Sequence, residues 1–137
     1  MERRRIGTTD LFISPVAMGC WPITGITSAG VTEAHSFATL QAAADGGINF
    51  FDTAHMYGYD GESERLIAKA LGHRRKEIII ATKGGLHWES PGKVACDASP
   101  SKSGRMPGPW AGTFRTLSVP LSRMPFAAEV SRYRAER

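Results

Sequence analysis

Asp52, Tyr57 and Lys83 are the residue types needed to hand a proton to a carbonyl oxygen. A free phenol titrates near pH ~10 and alone is a poor acid or base at neutral pH. An ammonium beside a phenol favours the phenolate and brings proton transfer toward the working range. A carboxylate next to that ammonium keeps it charged and aimed. Together the three groups suit protonation of a carbonyl oxygen as a hydride reaches its carbon. The same residues are accounted for equally by a rim ion pair between Asp52 and Lys83, with Tyr57 packing in a loop. A further chemical use makes Lys83 a Schiff-base amine, as in aldolase-like barrels.

Such a trio works only if the fold gathers it, and the surrounding residues predict elements that do. Residues 4–7 and 11–13 flank Thr8-Thr9-Asp10 and read as a small hairpin. Residues 16–18 follow Pro15 as a short buried strand ending at Gly19, and residues 20–30, rich in Gly, Thr and Pro, read as loop. Thr32 is a good N-cap for a helix with Ala34, Phe37, Ala38 and Leu40 on one side, ended by Gly46-Gly47. Residues 48–51 form a second strand that delivers Asp52 to its carboxyl end. Asp60 or Ser63 then caps a helix carrying Leu66, Ile67, Ala70 and Leu71, closed by Gly72. Residues 78–82 are an almost wholly apolar third strand, as expected when helices cover both faces, and Lys83 stands at its end. Strands alternating with helices through short connections predict parallel strands with right-handed crossovers. In such sheets the carboxyl ends share one rim, where ligands bind. Neighbouring strands lie about 4.8 Å apart, so Lys83 is within reach of both Asp52 and Tyr57.

The words around these residues carry a resemblance. Phe51-Asp52-Thr53-Ala54, Tyr57-Gly58, Gly61-Glu62-Ser63-Glu64 and Ala81-Thr82-Lys83, preceded by Pro15-Val16-Ala17-Met18-Gly19-Cys20-Trp21, closely resemble the aldo-keto reductase family. The flavour is that of its aryl-alcohol-dehydrogenase-like members, and the match covers about residues 4–100. The resemblance implies a (β/α)8 barrel and reduction of small aldehydes or ketones with NADP or NAD. It implies Tyr57 as general acid/base tuned by Lys83 and Asp52, with Gly19, Trp21 and Asp52 near the cofactor. The family's fourth catalytic residue is a histidine ending the fourth strand, and nothing here matches it. His87 comes only four residues after Lys83, with no helix and strand between, and reads as a loop histidine beside the pocket. His55 reads as a rim residue, and His35 and His73 as solvated.

A full eight-unit barrel needs roughly 250 residues, whereas this chain has 137. The expected fold class is therefore α/β, an incomplete (β/α)8 barrel: a hairpin and about three βα units over residues 1–100, then an irregular tail. After Ser99-Pro100, a plausible helix start, residues 101–137 keep no helical or alternating period and contain Pro107, Pro109, Pro120 and Pro125. They read as disordered, or as out-of-frame translation. In the second case Ser103-Gly104-Arg105-Met106, encoded as TCC-GGA-AGG-ATG after a codon ending in A, shifts by one base to Ile-Arg-Lys-Asp. On this reading the chain is truncated and weakly active or inactive.

Charge divides the same way. The net charge is +4, yet residues 1–100 carry ten Lys/Arg against eleven Asp/Glu, and residues 101–137 carry seven against two. A basic-tail binding protein is the non-enzymatic alternative, but scattered arginines among prolines form no stripe, and no nucleic-acid partner is expected. No apolar run is long enough for a membrane span. Cys20 and Cys96 have neither a disulfide framework nor a metal spacing, so no metal and a reducing cytoplasm are expected.

Overall fold

The computed structural model describes residues 1–97 and the backbone of residues 115–118. Four short strands make a parallel sheet: β3 (Met18–Gly19), β4 (Phe50–Asp52), β5 (Ile79–Thr82) and β8 (Arg115–Ser118), side by side in that order. Helix α1 (Glu33–Asp45) connects β3 to β4, and α2 (Glu62–Leu71) connects β4 to β5. Register pairs Gly19 with Asp52 and Asp52 with Ala81, so the carboxyl ends of the three strands lie level.

The core lies between these strands and the two helices. Phe51 and Ile80 are register partners, and both are buried with Leu40, Leu66, Ile67 and Leu71. Phe51, Leu40, Ile67 and Leu71 are fully enclosed, which supplies the non-directional burial that holds helices on a sheet. Polar bonds then fix the placement. The Ser36 hydroxyl of α1 donates to the Ile23 carbonyl at 2.7 Å. The Ser63 hydroxyl of α2 donates to the Cys20 carbonyl at 3.0 Å and accepts from the Thr53 hydroxyl at 2.9 Å.

The N-terminal hairpin pairs β1 (Arg4–Arg5) with β2 (Phe12–Ile13) in antiparallel register. Asn49 clamps it to the amino end of β4. Its side-chain oxygen accepts from the Ser14 amide at 2.7 Å, its side-chain nitrogen donates to the Phe12 carbonyl at 3.0 Å, and its own amide donates to the Ser14 hydroxyl at 3.2 Å. Ser14 is 1% exposed, so no water can replace that acceptor.

Several local expectations are corrected. The first strand begins at Met18 rather than at Val16: the Ser14 hydroxyl donates to the Val16 carbonyl in a local turn, and the Val16 side chain is exposed. The second and third strands begin at Phe50 and Ile79, two residues and one residue later than the apolar runs suggest. Thr32 caps α1 as expected, accepting from the His35 amide at 3.3 Å, and the left-handed turn after this helix falls at Gly47 (φ +92°). Neither Asp60 nor Ser63 caps α2. Gly61, at φ +70°, turns the chain into the helix, and Ser63 is spent on the strands instead. Residues 86–96 form a second antiparallel hairpin, β6 (Leu86–Ser90) with β7 (Lys93–Cys96), so His87 lies in a strand rather than a loop. Within the segment expected to lack regular structure, Arg115–Ser118 pairs in parallel along all of β5. The helix start at Ser99-Pro100 and the rest of residues 98–137 lie outside the described residues.

Replacing Asn49 with Ala orphans the buried Ser14 amide, which is expected to cost about 1–3 kcal/mol of stability. A urea unfolding curve checks this: an unchanged midpoint would show that the clamp carries no energy.

Candidate active site

Asp52 is the last residue of β4 and Lys83 follows the last residue of β5. Backbone pairing continues past the strand ends, with the Thr53 amide donating to the Ala81 carbonyl at 2.8 Å and the His55 amide to the Lys83 carbonyl at 3.1 Å. The loop that carries Tyr57 is thus anchored beside Lys83. Tyr57 is held from both sides, its amide donating to Ala54 O and its carbonyl accepting from Ser63 N, each at 3.0 Å.

The three groups meet at one ammonium. Lys83 Nζ donates to the Asp52 carboxylate, to the Thr53 carbonyl at 3.0 Å and to the Tyr57 hydroxyl at 3.3 Å. It also stands 5.0 Å from the Tyr57 ring centroid, a cation–π distance. Asp52 and Lys83 keep 40% and 24% of their side-chain surface exposed, so the cluster opens to solvent rather than lying in the core. Trp21 meets Tyr57 edge to face, with centroids 4.8 Å apart and planes at 87°. Gly19, beside Asp52 in register, has open space where a side chain would stand.

Other titratable groups surround this cluster. Burial pushes the Cys20 thiol up to about 12, with Asp52 adding and Lys83 opposing, so it stays protonated and unreactive. The Glu64 carboxylate, 3.8 Å from the His55 ring nitrogen, holds that imidazole above its usual range against partial burial.

Two contributors escape a reading by sequence. The Trp88 indole in the second hairpin donates to the Met56 carbonyl at 2.8 Å, tying that hairpin to the Tyr57 loop, and its ring packs on Tyr59. Glu64 is buried and accepts from the Thr82 hydroxyl at 2.6 Å. Its spacing with Ile67 and Leu71 places it on the helix's apolar stripe, a signal present in the sequence.

Residues 15–109 match the profile of the Aldo/keto reductase family. The chain belongs to that family. The match runs past residue 100, where the sequence reading places the end of the family-like region. Among relatives, the chain is 38% identical over 92 residues to the aldo-keto reductase YhdN of Bacillus subtilis, covering 66% of this chain and 28% of that protein. It is 37% identical over 91 residues to 6-dehydroglucose reductase of Novosphingobium aromaticivorans, covering 61% and 29%. Among solved structures, the holo form of aldo-keto reductase AKR11C1 from Bacillus halodurans superposes with a TM-score of 0.63 at 34% identity, over 74% of this chain and 32% of that one. This aldo-keto reductase chain therefore spans less than a third of the length of these relatives. Their fold is the (β/α)8 barrel, and the described residues form a partial one, as the sequence leads one to expect.

Gly58 sits at φ +78°, where an added Cβ would stand 2.6 Å from Glu62 and 2.8 Å from Thr24. Gly58→Ala is expected to destabilise the Tyr57 loop by about 1–3 kcal/mol, whereas Gly84→Ala, which has open space and no positive φ, is expected to be near silent. Paired urea unfolding curves check the contrast, and equal midpoints would remove the claim.

Proposed function

We propose that this chain carries the proton-transfer part of an oxidoreductase site that reduces small aldehydes or ketones to alcohols with NADP or NAD. The observation that carries the reading is the Lys83 ammonium shared by the Asp52 carboxylate and the Tyr57 hydroxyl at the carboxyl rim of a parallel sheet. Family membership supports the same reaction class, and so do relatives named for a reductase of 6-dehydroglucose and for glycerol dehydrogenation. The free thiols Cys20 and Cys96 suit a cytoplasmic protein.

The residues present suit a nicotinamide cofactor. Gly19 leaves backbone uncovered beside Asp52, and the Trp21 ring stands next to Tyr57. Gly19, Trp21 and Asp52 would hold the reactive ring, which supplies a hydride to the carbonyl carbon. Tyr57 gives its hydroxyl proton to the carbonyl oxygen. Lys83 stabilises the phenolate that remains, through the same hydrogen bond that aims the hydroxyl. Asp52 accepts from the Lys83 ammonium and holds it pointing at Tyr57. The Trp21 ring and the backbone bonds of the loop fix the phenol before reaction, which limits reorganisation when charge moves.

Turnover by this chain is expected to be low. Its four histidines are His35, His55, His73 and His87, and none ends a fourth barrel strand, so one orienting donor of the family's site has no counterpart. The Schiff-base alternative is disfavoured because the three donors of Lys83 are already engaged by Asp52, Thr53 and Tyr57.

Tyr57→Phe tests the proposal because it removes only the hydroxyl. Nicotinamide fluorescence is expected to report unchanged cofactor binding, while aldehyde reduction falls by about 10²–10⁴-fold. Unchanged turnover would overturn the assignment, and labelling of Lys83 by borohydride with a carbonyl compound would favour the Schiff-base chemistry.

A further inference from the structure

Glu64 plays no part in the mechanism above, yet among the described residues it is the one charged side chain that is buried, at 8% exposure. Removing a carboxylate from water costs several kcal/mol unless partners compensate. Its partners lead to both arms of the proton-transfer pair. One oxygen accepts from the Thr82 hydroxyl at 2.6 Å, and Thr82 immediately precedes Lys83. The other faces the His55 ring nitrogen at 3.8 Å, and His55 lies two residues before Tyr57. The His55 amide in turn donates to the Lys83 carbonyl. A side chain at position 61 would crowd this link: a Cβ on Gly61, at φ +70°, would stand 3.2 Å from both Glu64 Oε2 and His55 Nδ1.

We propose that Glu64 is a positioning residue for the Lys83–Tyr57 pair, acting through an ion pair with protonated His55. The inference rests on reading Lys83 and Tyr57 as the proton-transfer groups. In it, the carboxylate joins the end of β5 to the loop after β4, and the imidazolium closes the link.

The groups facing the imidazole are Glu64 and Arg65 from α2 and Asp60 from the loop before it, while Lys83 meets His55 through its backbone. The Glu64 carboxylate raises the imidazole above its ordinary 6.5, partial burial opposes this, Asp60 adds to the rise and Arg65 opposes it. The sign follows. Below pH 6.5 the imidazolium is present whether the chain is folded or not, so the link is fully made. As pH rises through the elevated folded-state value the proton leaves, and Glu64 keeps only Thr82. The alignment of Lys83 with Tyr57 then slackens.

Carbon-13 and nitrogen-15 labelling of the full chain tests this without turnover. The Lys83 Cε signal, identified by its loss in Lys83→Arg, is followed with the His55 ring signals across a pH titration. The expected result is an inflection in the Lys83 signal that coincides with the His55 midpoint, above 6.5. Glu64→Gln still accepts from Thr82, and it is expected to remove that inflection and return His55 to its ordinary range. A Lys83 signal that is flat while His55 titrates overturns the proposal, as does coupling that survives in Glu64→Gln. If the Gln variant does not fold, the titration of the unaltered chain decides alone. Coupling with aldehyde reduction that is unchanged in Tyr57→Phe would overturn the reductase reading and leave the Glu64 link standing, whereas Tyr57-dependent reduction without coupling does the reverse.

Discussion

A single ammonium joins the two strand ends on which the site is built. Lys83 places its charge where a carboxylate, a backbone carbonyl and a phenol converge, and each acceptor comes from the strand or loop adjacent to its own. A lysine has three donors and no acceptor, so this arrangement satisfies it fully. The cost of partial desolvation is offset within the cluster, and the geometry becomes rigid because each group constrains the other two. The parallel register supplies the distance, since Asp52 opposite Ala81 sets Lys83 two residues beyond the ladder. Shifting that register by one residue would turn every side chain of the strand to its opposite face.

Behind that cluster lies a second, buried layer of polar bonds. Ser63 and Glu64, neighbours in the first turn of α2, reach the strands at three places: the Cys20 carbonyl, the Thr53 hydroxyl and the Thr82 hydroxyl. One helical turn therefore sets the spacing of β3, β4 and β5 where the reactive groups emerge. Apolar packing alone would tolerate sliding of the helix by fractions of an ångström, because burial is non-directional. Hydrogen bonds among groups removed from water do not, since each one broken leaves an unpaired polar atom.

Much of this was legible in the residues. The run at 78–82 is almost wholly apolar and short, which marks a strand covered on both faces, and Gly72 and Gly46-Gly47 mark where the helices stop. Asp52 and Lys83 follow from those strands, because a residue that ends a parallel strand must stand on the common rim. Most of the misses depend on partners distant in sequence, while the start of the first strand is set by a local turn. Ser63 looks like a helix cap by position, but its hydroxyl is claimed by Cys20, 43 residues earlier. Val16 looks like strand, but the turn made by Ser14 precedes it and leaves it exposed. The hairpin at 86–96 has two half-buried strands and only weak alternation, and its anchor to Met56 spans 32 residues. At 115–118 the strand is recognised by its backbone register with β5, and four residues are too few to announce it by a period in residue types.

That last strand bears on how the molecule keeps company with others. Ile79–Thr82 is the most oily ribbon in the sheet, and one of its flanks would present a row of unspoken-for amide and carbonyl groups if Arg115–Ser118 were not laid along it. A bare flank of that kind recruits extended segments from any passing polypeptide. By occupying it from within the same chain, residues 115–118 take up the backbone groups of β5 and move the margin of the sheet to a segment without its run of isoleucines.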